Sequence, residues 1–128
     1  MERVKGYRKK RADDSYAPLV PFGSDGILID MLSGLHLEYE LVIGGKRNST
    51  ITENSTNIIF TNQYYNNSGA IQYTLTTTIP QTAITATSGT VNIIIDLFNG
   101  NSTAAANRLK RKTLTLNAAT GAFTETLS

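Results

Sequence analysis

The chain has 128 residues, room for one domain, with no cysteine, a single histidine and a formal net charge of +2. The missing thiols exclude a disulfide framework, a thiolate zinc site and a cysteine nucleophile, and His36 alone excludes any site that needs two imidazoles. Apolar residues make up 40% and charged residues 17%, below the roughly 45% and 25% of average globular chains. The difference is filled by 18 threonines, 11 asparagines and 9 serines, a composition that suits strands and turns.

Residues 1–26 read as an extended basic arm ahead of a β domain at 27–128. The first eleven residues carry Arg3, Lys5, Arg8, Lys9, Lys10 and Arg11 against Glu2, a net of +5, whereas the remainder carries −3. Pro18, Pro21, Gly23 and Gly26 then interrupt any helical or strand period. Tyr7, Tyr16, Leu19 and Phe22 are spaced along the arm as anchors for another surface, since each docked apolar side chain offsets part of the entropy of ordering the segment.

From Ile27 the hydrophobic period is two. Residues 27–32 alternate Ile27, Ile29 and Met31 with Leu28, Asp30 and Leu32, and residues 35–43 give the cleanest strand, with Leu35, Leu37, Tyr39, Leu41 and Ile43 opposite His36, Glu38, Glu40 and Val42. A turn follows at 44–48. Strands are predicted over 49–53, 56–65 and 70–79, the middle one with Ile58, Phe60 and Tyr64 on one face and Ile59 and Tyr65 on the other. Asn66-Asn67-Ser68-Gly69 closes the hairpin between the last two, because Asn and Gly accept the positive φ that such loops demand.

A weak strand is expected over 81–86 and a strong one over 90–98. The latter carries Val91, Ile93, Ile95 and Leu97 on one face and Ile94 and Phe98 on the other, so it is expected to be covered on both sides. Ala104-Ala105-Ala106 suggests a single helical turn, and residues 108–117 and 122–127 form a terminal hairpin. About eight strands at short spacing, without helices for parallel crossovers, predict an all-β domain: an antiparallel β-sandwich or a small barrel.

The run Arg8-Lys9-Lys10-Arg11 suits either a phosphate backbone or an acidic groove on a protein partner. The apolar anchors favour the protein partner, since a purely solvated tail needs none. A second basic patch, Arg108, Lys110, Arg111 and Lys112, precedes the last hairpin. Arg108, Lys110 and Lys112 share one face of an extended strand, and such a ridge reads first as an edge defended by lysines and second as a binding patch. His36 lacks a nucleophile or second ligand at any recognisable spacing. No calcium loop, phosphate-cradling glycine pattern or hydrolase triad occurs, so neither catalysis, a metal nor a cofactor is expected. No apolar run approaches the roughly 18 residues of a membrane helix, and no export signal is seen. Sequons begin at Asn48, Asn54, Asn66 and Asn101; all four fall in predicted turns, where a structural role is expected.

The stretch Gly23-Ser24-Asp25-Gly26-Ile27-Leu28-Ile29-Asp30-Met31-Leu32-Ser33-Gly34-Leu35, continuing to Gly44-Gly45, resembles small structural proteins of tailed bacteriophages, the crAss-like group among them. That resemblance implies a virion protein made in the host cytoplasm: an auxiliary or decoration protein bound to the major capsid protein or other virion subunits, with no catalytic residues. A basic arm would equally suit a position facing packaged DNA, so the side of the shell stays open. Two alternatives remain: a head-fibre or tail adaptor forming a symmetric oligomer, with Ile94 and Phe98 buried between chains, and a nucleic-acid-binding protein using the basic arm.

Overall fold

The computed structural model describes residues 6–8, 10, 13–17, 20–21, 25–32 and 47–128. The strand expected over 35–43, His36, and the arm residues Arg3, Lys5, Lys9, Arg11, Leu19 and Phe22 lie outside the described residues.

The dominant element is one open antiparallel sheet of six strands: β3 (Arg47–Glu53), β4 (Asn57–Tyr65), β5 (Ile71–Pro80), β6 (Thr90–Asn99), β7 (Arg108–Asn117) and β8 (Phe123–Leu127). Their spatial order equals their sequence order, a meander with β3 and β8 at the edges. Every connection turns back to the neighbouring strand, as short polar loops permit. Gly69 and Gly100 supply positive φ of 88° and 72° at two of these turns, backbone that a residue with a Cβ adopts only under strain. Strands β4 to β7 place their apolar residues on one face. Ile58, Phe60 and Tyr64, Tyr73, Leu75 and Ile79, Ile93, Ile95 and Leu97, and Leu114 and Leu116 all join one buried cluster on a single face.

The described residues form one open sheet, and the layer over its apolar face is helical where they cover it. Residues 27–32, expected to follow a strand period, instead lie in and just after a helix, α1 (Asp25–Met31), which also takes in the last two residues assigned to the arm. Leu28, Met31 and Leu32 are at most 2% exposed, and their i, i+3, i+4 spacing is the stripe of a helix. The two-residue period there was apolar on both alternates and so carried no preference for a face. Residues 82–85 likewise form a single turn, α2 (Thr82–Thr85), rather than a weak strand. Ala83 and Ile84 are adjacent and both buried in the core, which a strand cannot achieve because neighbours point to opposite faces. The helical turn suggested by the three alanines is present as a 3-10 turn, Ala105–Asn107.

In the N-terminal segment the described residues pair with one another. Strands β1 (Gly6–Tyr7) and β2 (Val20–Pro21) pair antiparallel, with Gly6 opposite Pro21 and Tyr7 opposite Val20, and Lys10 bridges Tyr16 further along. The described residues of the segment therefore double back as a narrow ribbon. Its tip has the chemistry of a turn: the Asp13 carboxylate accepts from the Ser15 amide at 3.0 Å and the Ser15 hydroxyl at 2.6 Å, and Asp14 takes a φ of 70°, which Asp tolerates better than most residues. Ala17 belongs to the buried core.

Candidate interaction surfaces

Three surfaces carry the residues singled out from the sequence. On the N-terminal ribbon, the Arg8 guanidinium sits 5.0 Å from the centroid of the Tyr16 ring, within cation–π range, and Tyr16 is 57% exposed. Lys10 Nζ lies 3.2 Å from Asp14 Oδ1. The described part of the basic run is thus an aromatic–cation pair beside a compensated ion pair, not a uniformly positive surface.

The second basic patch is divided by the sheet. Strand β7 lies between β6 and β8, so it is an interior strand and not the defended edge expected. A bulge between Leu97 and Phe98 sets Lys110 opposite Leu97 but Arg108 opposite Phe98, which breaks the alternation that would have aligned Arg108 with Lys110. Lys112 faces the core: its side chain is 9% exposed, and its Nζ lies 2.7 Å from Asp30 Oδ2 of α1 and 3.2 Å from Glu125 Oε2 of β8. Burial alone would lower its pKa, but hydrogen bonds to Asp30 and Glu125 outweigh that and raise it. Arg111 points to the opposite face and grips Asp96 with two bonds, Nε to Oδ1 at 2.7 Å and Nη2 to Oδ2 at 3.0 Å. This hydrogen bonding raises the Arg111 pKa against a smaller desolvation effect. Only Arg108 and Lys110 stay without a described ionic role.

The third surface is the sheet face turned away from the core. Cross-strand register aligns Thr50, Thr61, Thr76, Asp96 and Arg111 in one row, and Thr52, Ile59, Thr78, Ile94, Thr113 and Thr126 in the next. Thr115 Oγ1 and Asn92 Oδ1 are bonded across the same face at 2.9 Å. One end is closed by the β6–β7 connection, where Thr74 Oγ1 donates to the Gly100 carbonyl at 2.7 Å and Gln63 Nε2 to Asn101 Oδ1 at 2.7 Å. Phe98 is 5% exposed, so this side chain, expected to be available for burial between chains, is already covered within one chain.

Sequence reasoning missed Asp30, Asp96 and Glu125, the carboxylates that engage the second basic patch. Three of the four sequons have the structural role expected of them. Asn54 caps the β3–β4 turn through bonds from Thr56 and Asn57, both 2.8 Å, Asn66 caps the β4–β5 turn, and Asn101 accepts from Gln63. Asn48 lies within β3 instead of a turn.

Among the described residues no three His, Cys, Asp or Glu side chains converge as a metal site, and no helix is long and apolar enough to cross a membrane. No family model, curated protein or solved structure matches the chain.

Proposed function

We propose that this chain is a non-enzymatic virion structural protein, an auxiliary or decoration protein that docks on the capsid lattice through its β domain and its basic N-terminal segment. The observation that carries this reading is the surface of the ribbon. Exposed Tyr16 under Arg8 presents an aromatic and an arginine, residue types enriched at protein interfaces, and the neighbouring Lys10–Asp14 pair offsets part of the local positive charge. A phosphate backbone calls for cations without neighbouring acids, so a protein partner is the better fit. A neighbouring virion subunit would then lie over the threonine-rich face.

The test uses the full chain and a triple variant, Arg8→Ala, Lys10→Ala and Tyr16→Ala, all at exposed positions. Deleting residues 1–22 would be a poorer test because it removes Ala17 from the core. Binding to empty capsid shells and to duplex DNA is measured at about physiological ionic strength, where exposed charges are screened beyond roughly 8 Å. The expected result is shell binding by the wild type, its loss in the triple variant with the fold retained, and no retention on DNA. Equal shell binding by both proteins, or capture of the wild type by DNA alone, overturns the reading.

A further inference from the structure

We infer that the threonine-rich face of the sheet is a self-complementary docking surface, on which a second copy of this chain packs face to face about a two-fold axis running across the strands. The inference deepens the virion reading by naming the neighbour over that face, and it rests on that reading only in taking the face to be covered in the assembly.

The charges of the sheet are distributed against the usual rule, by which the open face of an antiparallel sheet takes the polar and charged residues. In register, Arg47 lies opposite Tyr64, Glu53 opposite Ile58, Lys110 opposite Leu97, Lys112 opposite Ile95 and Glu125 opposite Leu114. Each of those partners belongs to the buried cluster, so these charged residues share the aliphatic face. The rows of the other face hold Asp96 and Arg111, which close on each other through two bonds, with threonine, asparagine and isoleucine around them. They offer no uncompensated charge to a phosphate backbone or to a partner selected by charge. A neutral surface like their own is the better match.

The exposure of this face follows what the chain itself lays over it. At one end the connection after β6 lies across the face, where Gly100 and Asn101 accept from the Thr74 and Gln63 side chains. Under that cover Thr74 and Phe98 are only 1% and 5% exposed. Further along, Ile59, Thr76, Thr78, Ile94 and Thr113 are half-exposed, and Thr50 and Thr52 are exposed. Ile59 and Ile94 flank Thr78 in register, which puts an apolar pair in the middle of the face.

The covered end selects the axis. A two-fold axis along the strands would bring the connections of both copies to the same end, where they collide. An axis across the strands sends them to opposite ends, each beyond the open rows of the other copy. Along the row Thr52, Ile59, Thr78, Ile94, Thr113 and Thr126, every residue then meets its own copy, and a charge there would oppose itself. The row has none. To either side of it, Asp96 and Arg111 of one copy lie over Asn92 and Thr115 of the other, an ion pair over a hydrogen-bonded pair, and no like charges are opposed. Six strands about 4.8 Å apart and three rows about 6.8 Å apart cover about 600 Å² on each copy. The total, about 1,200 Å², is the lower end of specific interfaces. Hydroxyls bridged by water are expected at such a contact, so the dimer is weak and reversible, and an isologous contact closes on two chains.

The experiment is the mass of the full-length protein across a concentration series, which should rise from that of one chain to that of two. Ile94→Lys sets two like charges against each other on the axis and should weaken the dimer roughly a hundredfold or more, with circular dichroism unchanged because the position is half-exposed. Thr113→Lys, on the same row, should do the same and serves if the first variant does not fold. Mixing the Ile94→Lys and Ile94→Glu proteins should restore association, because position 94 meets itself, whereas mixing Ile94→Lys with Ile59→Glu should not. The triple ribbon variant should still dimerise, so shell binding and dimer formation are read separately: a dimer that ignores shells counts against the virion reading, and a chain that binds shells but stays a monomer overturns this inference. It is equally overturned by mass that grows beyond two chains, by lysine variants that dimerise like the wild type, or by rescue with Ile59→Glu and not with Ile94→Glu.

Discussion

Arg111 and Lys112 are neighbours in one strand, yet they sit in two different environments. Arg111 lies on the threonine-rich face, 38% exposed, and holds one carboxylate of the adjacent strand. Lys112 lies on the aliphatic face, where it ties α1 to β8 through Asp30 and Glu125. The difference between these faces shows how a chain with few apolar residues builds a core. It concentrates them on one side of the sheet and leaves the other side to residues chosen for strand geometry. Threonine suits that second role because its branched Cβ fits the pleat while its hydroxyl stays wet.

The widest separation between the faces is expected from truncation. Leu97 is fully buried between Leu75 and Lys110 in register, so Leu97→Ala removes transfer free energy and leaves a cavity, costing about 2–5 kcal/mol. Thr76→Ala, one row away on the opposite face, should cost at most about 1 kcal/mol through strand preference. Urea unfolding of both variants measures the gap. Equal losses would show that the threonine-rich face is also packed, contrary to its partial exposure.

The same asymmetry explains how far the sequence could be read. Strands β4, β5, β6 and β7 alternate between an apolar and a mostly polar set, and their face assignment is plain from the residues. Residues 27–32 are apolar on both alternates, so the period of two there discriminated nothing, and the helix followed from the i, i+3, i+4 set that only tertiary packing selects. Six of the expected strands form the sheet, but a count of strands does not say whether a helix or a second sheet covers them. The ion pairs were hidden for a different reason. Asp96 and Arg111 are joined through a connection whose bulge and 3-10 turn make the register uncountable, and Asp30 reaches Lys112 across 82 positions, with no local signal at all.

Lys112 separates the contribution of a charge from that of its stem. Asp30 and Glu125 are 55% and 61% exposed, so both return to water if the cation is lost, whereas the lysine stem covers the sheet beside Ile95 and Leu127. Lys112→Ala should therefore cost about 2 kcal/mol by loss of packing. Lys112→Met, which keeps the stem, should cost less than about 1 kcal/mol. Alkaline titration isolates the charge. The folded-state pKa of Lys112 is raised, so its ionic contribution is whole below the ordinary lysine value of 10.5 and is lost as pH climbs through the raised one. The stability difference between wild type and Lys112→Met should hold steady below that value and shift against the wild type above it. A difference that is flat into strong alkali would mean the ion pairs contribute nothing.

The smallest expected effect concerns a polar exception on the aliphatic face. Thr77 is fully buried beside Phe60 and Ile95 in register, and its hydroxyl has no hydrogen-bond partner. An unpaired buried hydroxyl costs about 1–3 kcal/mol, and valine has nearly the same shape with the same branched Cβ. Thr77→Val should therefore stabilise the protein by about 1 kcal/mol, seen as a higher urea midpoint with an unchanged slope. The matching change on the open face, Thr78→Val, exchanges a half-exposed hydroxyl for a methyl group and should leave the midpoint almost unmoved. If Thr77→Val instead destabilises the fold, the hydroxyl is bonded in solution and the face is less purely aliphatic than its packing indicates.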